Sequence, residues 1–380
     1  MERELMGLKR DIVVIGGYGH VGGAICNALS ELYQGRIYAA GRSKEKAERF
    51  CANTGGHVKP LQLNVGNVID MEWLSSVKLV VMCLDQSDTA FAAACLRSGT
   101  HYIDVSANGT FLLEMEKLND VASVSGATAV ISVGLAPGLS NLLVRQARNT
   151  FEHLDHVSIG IMLGLGDSHG KAAIEWTVDS LADTFEVMEA GERVSVKSFT
   201  DGRTIDFGGG LGKHRAYRFP FSDQVMLPRT MSTSSIATRL CFDSHIATSL
   251  VAFMTKLGLT KFFRGKFIRS IVVKAFEKMS YGSDRYALKV DVTGRMDREN
   301  KLMQLYVQGR VESSVTASMA AATVDLVYRA NLPVGVYHSE QLFELLAQDD
   351  RLTLAYVQGQ QETTTARVWA EDVKYWSHIK

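Results

Sequence analysis

Between Asp11 and Val133, short apolar runs alternate with segments whose apolar residues recur every three to four positions. Ile12-Val13-Val14-Ile15 reads as a fully buried strand, and Val21, Ile25, Ala28, Leu29 and Leu32 form the inner stripe of the helix that follows. The same alternation continues. Strands are expected at 36–40, 58–65, 79–84, 101–105 and 128–133. Helices are expected at 44–53, with Ala47, Phe50 and Cys51 inward, at about 87–97, and at 111–124. Strands separated by helices specify βαβ units and a parallel, doubly wound sheet of the Rossmann type.

Beyond Asn141 the pattern changes. A long strand is expected at 155–165, and 193–207 reads as two strands folded about Asp201-Gly202, a hairpin signal. A second hairpin joins 286–293 to 301–311 across a polar turn near Asp297, and helices are expected at 171–190, 236–257 and 264–279. The fold class is therefore α/β, an N-terminal Rossmann sheet plus a second α+β domain with an antiparallel sheet. The boundaries are 1–140 for the first domain, completed by about 313–380, and 141–312 for the second. The alanine-rich helix around 315–328 is expected to pack on the first domain.

Length agrees with two domains, since 380 residues exceed what one core usually holds. Forty-one Lys and Arg balance 41 Asp and Glu, so no net field points to nucleic acid or to a membrane as partner. No apolar run approaches the roughly 18 residues of a membrane span. The charged opening MERELMGLKR lacks the apolar stretch of a signal peptide, which makes a cytoplasmic location the expectation. Five scattered cysteines without a CxxC pair read as reduced, buried thiols. No metal site is expected: His153 and His156 have ligand-like spacing but no third ligand.

The chemistry begins in the glycine-rich turn. Gly17-Tyr18-Gly19-His20-Val21-Gly22 fits the dinucleotide fingerprint GxGxxG in its proper strand–turn–helix setting, where the helix N-terminus receives a pyrophosphate. The second strand ends in Gly41-Arg42-Ser43-Lys44. An NAD site usually carries an acid there. Arg42 and Ser43 instead suit a 2′-phosphate, so the expected cofactor is NADP (NADPH); the alternative is a helix cap with a solvated arginine. Ligands lie at the carboxyl ends of parallel strands, which adds Asn64 and Val65 beside adenine, Leu84, Asp85 and Gln86 near the nicotinamide ribose, and Asp104 with Ser106. A helix-capping role for Asp85 or Ser87 is equally open.

GGYGHVGG, GTHYIDVSAN (99–108) and VGLAPGLSNLL (133–143) together resemble the saccharopine dehydrogenase-like oxidoreductases, which include saccharopine reductases, lysine 6-dehydrogenase-like and carboxynorspermidine-type enzymes. The likeness covers the first domain well and GVYHSEQLFELL (335–346) more weakly. It implies a Rossmann domain finished by C-terminal helices, a middle domain that closes over substrate and dimerises, and NAD(P)-dependent reduction of C=N or oxidation of an amine. Within it, Tyr102 and Asp104 fall at the strand end nearest the nicotinamide as candidate catalytic groups, with a structural role for Asp104 in the loop equally open.

In the second domain, the glycine-rich loop 164–171 holds His169, a candidate proton donor because histidine titrates near neutrality, although a surface loop histidine is the commoner case. Asn141, with simple helix capping equally open, and Glu175 and Arg229 are candidate substrate contacts, and the basic stretch 213–218 is either a carboxylate site or a solvated face. The leading reading is an NADP-dependent oxidoreductase acting at a C–N bond of an amino-acid-like or polyamine-like small molecule, working as a homodimer. A C=C or C=O reductase and a non-catalytic NADPH-binding regulator are the alternatives.

Overall fold

Between Asp11 and Ile131 most strands are followed by a helix, and the chain closes their sheet with a segment from its far end. The computed structural model describes residues 9–66, 73–167, 169–277, 282–348, 351–358, 362–368 and 372–380. Ser168 of the glycine-rich loop and residues 278–279 of the third expected helix lie outside them. The chain divides into two units, one of Met1–Gly138, Ser314–Leu346 and Thr353–Trp369, the other of Leu139–Ser313, Ala347–Leu352 and Ala370–Lys380.

The first unit runs β1 (Asp11–Ile15), α1 (His20–Leu32), β2 (Ile37–Gly41), α2 (Lys44–Ala52), β3 (Val58–Gln62), β4 (Val77–Met82), α3 (Ala90–Arg97), β5 (His101–Asp104), α4 (Gly109–Glu116), α5 (Asn119–Val124) and β6 (Thr128–Ile131). These strands pair in parallel in the order β3-β2-β1-β4-β5-β6, and the C-terminal strand Gly335–His338 adds in parallel beside β6. That order reverses at β1/β4, as in the Rossmann fold. Ile12 to Ile15 are all but fully buried, as a strand covered on both faces requires. On α1, Ile25, Cys26 and Leu29 are buried while Leu32 stands 54 % exposed, so the stripe stops one turn sooner than its spacing predicts. The expected helix 111–124 is two helices. Asn108 caps α4 by accepting from Thr110 and Phe111 N–H, and three-residue bonds from Lys117 to Glu114 and Leu118 to Met115 tighten and end it. The C-terminal helix Glu312–Arg329 contributes most of its length to this unit. Tyr328 packs on Tyr33 with ring centroids 4.5 Å apart, and the Tyr33 hydroxyl donates to Asp325 at 2.6 Å.

The second unit contains α6 (Ser140–Thr150), β7 (His153–Leu163), α7 (Lys171–Ser180), β8 (Thr184–Glu189), β9 (Glu192–Lys197), β10 (Arg203–Asp206), β11 (Lys213–Arg218), α8 (Asp223–Met231), β12 (Ile236–Phe242), α9 (His245–Lys256), α10 (Lys266–Glu277), β13 (Arg285–Met296) and β14 (Glu299–Arg310). Its sheet runs β10-β11-β12-β7-β13-β14 and ends on the C-terminal strand Lys374–Ile379. The sheet is mixed rather than wholly antiparallel, because β7 and β12 pair in parallel.

Three sequence expectations fail in this unit. Residues 184–189 and 236–242 are strands, not helix: a short, continuously buried run such as IATRLCF carries no period that separates the two states. Asp201-Gly202 is not a hairpin tip. β9 pairs with β8 around Ala190-Gly191, and β10 pairs with β11 around the glycines at 208–212. The chain from Ser198 to Thr200 instead lies against Arg218, through Phe199 N–H to Arg218 O at 2.7 Å and Arg218 N–H to Thr200 O at 3.0 Å. The hairpin at Asp297 forms as expected, with Asp297 and Arg298 both left-handed at φ 53° and 67°.

Candidate functional site

The register sets Ile15, Met82 and Asp104 side by side at the carboxyl ends of β1, β4 and β5, where the strand order reverses. Parallel open sheets bind ligands at this place. Gly16 leaves β1 at φ +76°, a left-handed backbone suited to glycine, and Gly16 and Gly17 N–H both donate to Ala40 O, at 2.8 and 3.2 Å. A Cβ on Gly17 would stand 2.6 Å from Val14 O, and one on Gly22 would overlap the Gly16 carbonyl, so α1 packs on the turn backbone to backbone. Gly19 caps α1 without a side chain, and no acid stands in its first turn. Its leading N–H groups and the positive end of its dipole therefore face outward at exposed Gly19 and His20, with half-buried Val21 behind them. Such an end suits a pyrophosphate.

Tyr18 lies across the end of β2. Its hydroxyl accepts from Ser43 N–H at 3.1 Å, and any Cβ on Gly41 would run into its ring. Ser43 Oγ caps α2 by accepting from Lys46 N–H at 3.2 Å, so the capping role foreseen for it is real. Arg42 is exposed beside it, and its backbone carbonyl accepts from Gln62 Nε2 at 3.2 Å. No carboxylate stands between Gly41 and Lys44. Further round, exposed Asn64 folds onto Gly66 N–H at 3.3 Å, with Val65 half-buried next to it. Leu84 covers Gly16, Asp85 is exposed, and Gln86 Nε2 donates to Asp85 O at 3.1 Å. Neither Asp85 nor Ser87 accepts the first N–H of α3; Asp88 does, from Ala90 at 2.9 Å.

At the end of β5 the two candidate catalytic groups meet. The Tyr102 hydroxyl donates to Asp104 Oδ2 at 3.0 Å, and Asp104 Oδ1 accepts from Ser106 N–H at 2.7 Å. Both side chains are fully buried. Burial pushes the Asp104 carboxyl up to about 7 against the pull of the Ser106 and Tyr102 hydrogen bonds, with the Asp85 charge adding a smaller push. Burial also raises the Tyr102 phenol. Ser106 Oγ then accepts from Asn108 N–H at 3.2 Å, which continues the turn into α4.

Beyond β6, Ser132 Oγ meets His338 Nδ1 at 2.7 Å and His338 Nε2 meets Glu116 Oε1 at 3.0 Å, while Ser339 Oγ donates to Ser132 O at 2.8 Å. This buried chain of bonds fastens the C-terminal strand to the end of β6.

The remaining candidates belong to the second unit. His169 is half-buried, and its Nε2 is 2.8 Å from Gly164 O. Asn141 is fully buried on α6; its Oδ1 accepts from Ser140 Oγ at 3.2 Å, and its Nδ2 has no partner among the described residues. Glu175 stands 3.7 Å from both Lys171 and Arg269, so its carboxylate is already engaged. Arg229 is exposed in the last turn of α8.

Arg218, the last residue of the basic stretch 213–218, is buried rather than solvated, and it stands beside Arg239, which sequence reading missed. They face each other across β11 and β12, and their side chains are 5 % and 0 % exposed. Asp201 Oδ2 bridges them, at 3.1 Å from Arg218 Nε and in a short contact with Arg239 Nη2, and Glu189 also pairs with Arg218. Nη1 of each arginine is buried without a partner among the described residues. The signal was present: Arg239 is the one charge in the apolar strand IATRLCF. Among the described residues no three His, Cys, Asp or Glu gather as a metal site.

Residues 12–130, from β1 into β6 of the first unit, match the family described as the saccharopine dehydrogenase NADP binding domain. Apo saccharopine dehydrogenase (L-Glu forming) from Saccharomyces cerevisiae shares the fold at a TM-score of 0.63 and 12 % identity, over 87 % of this chain and 94 % of that one. A C. glutamicum DAP dehydrogenase in complex with DAP (12 % identity, 87 % and 93 % covered) and an engineered D-amino acid dehydrogenase bound to NADP+ (10 %, 87 % and 93 %) both stand at 0.44 and add nothing to the fold assignment. No curated protein matches the chain in sequence.

Proposed function

We propose that this chain is an NADP-dependent oxidoreductase that moves a hydride to or from a C–N bond of an amino-acid-like or polyamine-like substrate. The observation that carries the reading is the end of β2, where exposed Arg42 follows Gly41 and no carboxylate stands between Gly41 and Lys44, beside a helix N-terminus that no side chain caps. A guanidinium there pairs with a 2′-phosphate, whereas an NAD site places an acid. When bound, the cofactor supplies the hydride.

In this reading the residues of the chain bind, orient and exchange protons. Gly17 to Gly22 hold the pyrophosphate, Arg42 and Ser43 the 2′-phosphate, Asn64 and Val65 flank adenine, and Leu84 to Gln86 support the nicotinamide ribose. Tyr102 and Asp104, sealed from solvent, act as a positioning pair that shapes the turn bearing Ser106. His169 on its glycine-rich loop serves as the proton donor. The second unit supplies the substrate site and the contact of a homodimer. Asn141 Nδ2 and the unpartnered Nη1 atoms of Arg218 and Arg239 support a carboxylate-bearing substrate, because buried donors of this kind are costly unless a ligand completes them. Glu175 and Arg229 remain outer candidates. Unpaired cysteines, four of them buried, fit a reducing cytoplasm.

The test is steady NADPH oxidation with paired amines and keto acids, followed by product mass. Consumption of NADPH with a product heavier by the condensed amine supports imine reduction. A product reduced at C=C or C=O, or NADPH binding without turnover across the panel, overturns it.

A further inference from the structure

We infer that the α9–α10 face of the second unit is a peripheral docking surface for an anionic lipid membrane. On α9, Ile246, Leu250 and Phe253, continued by Leu257, recur at helical spacing along one stripe, and all stand more than half exposed. Phe262 is 61 % exposed on the connecting turn, and Phe267 (78 %) and Ile271 extend the stripe on α10. The inward stripes are narrow: Thr248 and Val251 on α9, Phe263 between the helices, and Val273 on α10. Single exposed apolar residues are ordinary, but a run of large ones along two consecutive helices marks a contact surface.

Charge selects the occupant. Between Asp243 and Glu277 the chain has no acidic residue, yet it carries Lys256, Lys261, Arg264, Lys266, Arg269 and Lys274. Arg264 pairs with Asp183 at 3.0 Å, and Arg269 with Asp179 at 2.6 Å, from neighbouring elements. The four lysines are exposed and form no ion pair among the described residues. Beside the apolar stripe, Lys171, Lys266, Arg269 and Lys274 line a groove with Glu175, and Asp179 holds Arg269 from its side, so cations still outnumber acids there. A second copy of the chain would set cations against cations, so the face is poorly suited to pair with itself. Large apolar side chains flanked by unpaired lysines are the make-up of helices that lie in the interface of an anionic bilayer. Among the described residues no helix is long and apolar enough to cross a membrane, so the face rests on the surface. The balanced charge of the whole chain conceals this local excess.

Flotation with phosphatidylcholine vesicles, with and without phosphatidylglycerol, tests the inference independently of any enzymatic activity. The full-length chain is expected to float only with the anionic vesicles and to be released as salt rises from about 0.1 to about 1 M, where the screening length falls from about 10 to about 3 Å. Each lysine lost is expected to lower partitioning about fivefold, so Lys256→Glu with Lys261→Glu should lower it at least about 20-fold. Phe253→Ser with Phe267→Ser should abolish it, with NADPH binding and the circular dichroism spectrum of both variants unchanged. Equal binding to both vesicle types, or anionic binding that survives both substitutions, overturns the inference. So does a face that binds no vesicle and whose phenylalanine variants convert a dimer to a monomer in sedimentation.

Discussion

The Tyr102 hydroxyl donates to Asp104 Oδ2 at 3.0 Å at the end of β5, with both side chains fully buried. This pair makes stability depend on pH. Burial raises the Asp104 carboxyl from its ordinary value of 3.8 to about 7. At pH below about 4 both folded and unfolded chains hold the proton, and stability from this group is at its maximum. Between about 4 and 7 the unfolded chain releases it while the folded chain keeps it, so stability falls as pH rises, and levels off above. Thermal melting across this range should show the decline in the wild type and a flatter profile in Asp104→Asn. An unchanged slope in the variant assigns the effect to another group.

Gly22→Ala tests the packing of α1 on the glycine turn. The new Cβ overlaps the Gly16 carbonyl, a backbone group that has no rotamer to yield. A loss of about 2–3 kcal/mol is expected in urea denaturation. Gly41→Ala first meets the hydroxyl and ring of Tyr18, a side chain that can swing aside, so it should cost less stability while freeing Ser43 N–H from the Tyr18 hydroxyl.

Arg42→Asp should weaken NADPH binding about tenfold or more and leave or improve NADH binding, read by fluorescence titration. Equal loss for both cofactors would mean that Arg42 contacts no 2′-phosphate.

Asp201 sits between two guanidiniums that the fold cannot hydrate, and removing it leaves their charges facing each other across β11 and β12. Asp201→Ala should destabilise the second unit by about 3 kcal/mol in chemical denaturation. Adding Arg239→Met to that variant should restore part of the loss, since the buried uncompensated charge is then gone. A double variant weaker than the sum of the single losses contradicts this.

His169→Ala should lower kcat about a hundredfold with cofactor affinity unchanged and remove the limb of the pH–rate profile that reports the donor. An intact profile would leave His169 only its bond to the Gly164 carbonyl.

The glycine fingerprint, the strand–helix alternation and the run Gly41-Arg42-Ser43 were legible in the sequence because each belongs to one local βαβ unit, where period and turn chemistry act over a few residues. So was the hairpin at Asp297-Arg298, where both central residues must turn left-handed. Tertiary structure decided the rest. The strand IATRLCF takes its state from a parallel partner some 80 positions away in β7, and no local period encodes such pairing. Asp201-Gly202 reads as a hairpin tip but answers two buried arginines instead, because an unpaired buried charge outweighs a turn preference. Tyr102 and Asp104 share a face by alternation, yet only the packing around β5 shows that the face is sealed and that the carboxyl titrates near neutrality. Burial and long-range pairing depend on the whole chain at once, and a window of sequence contains neither.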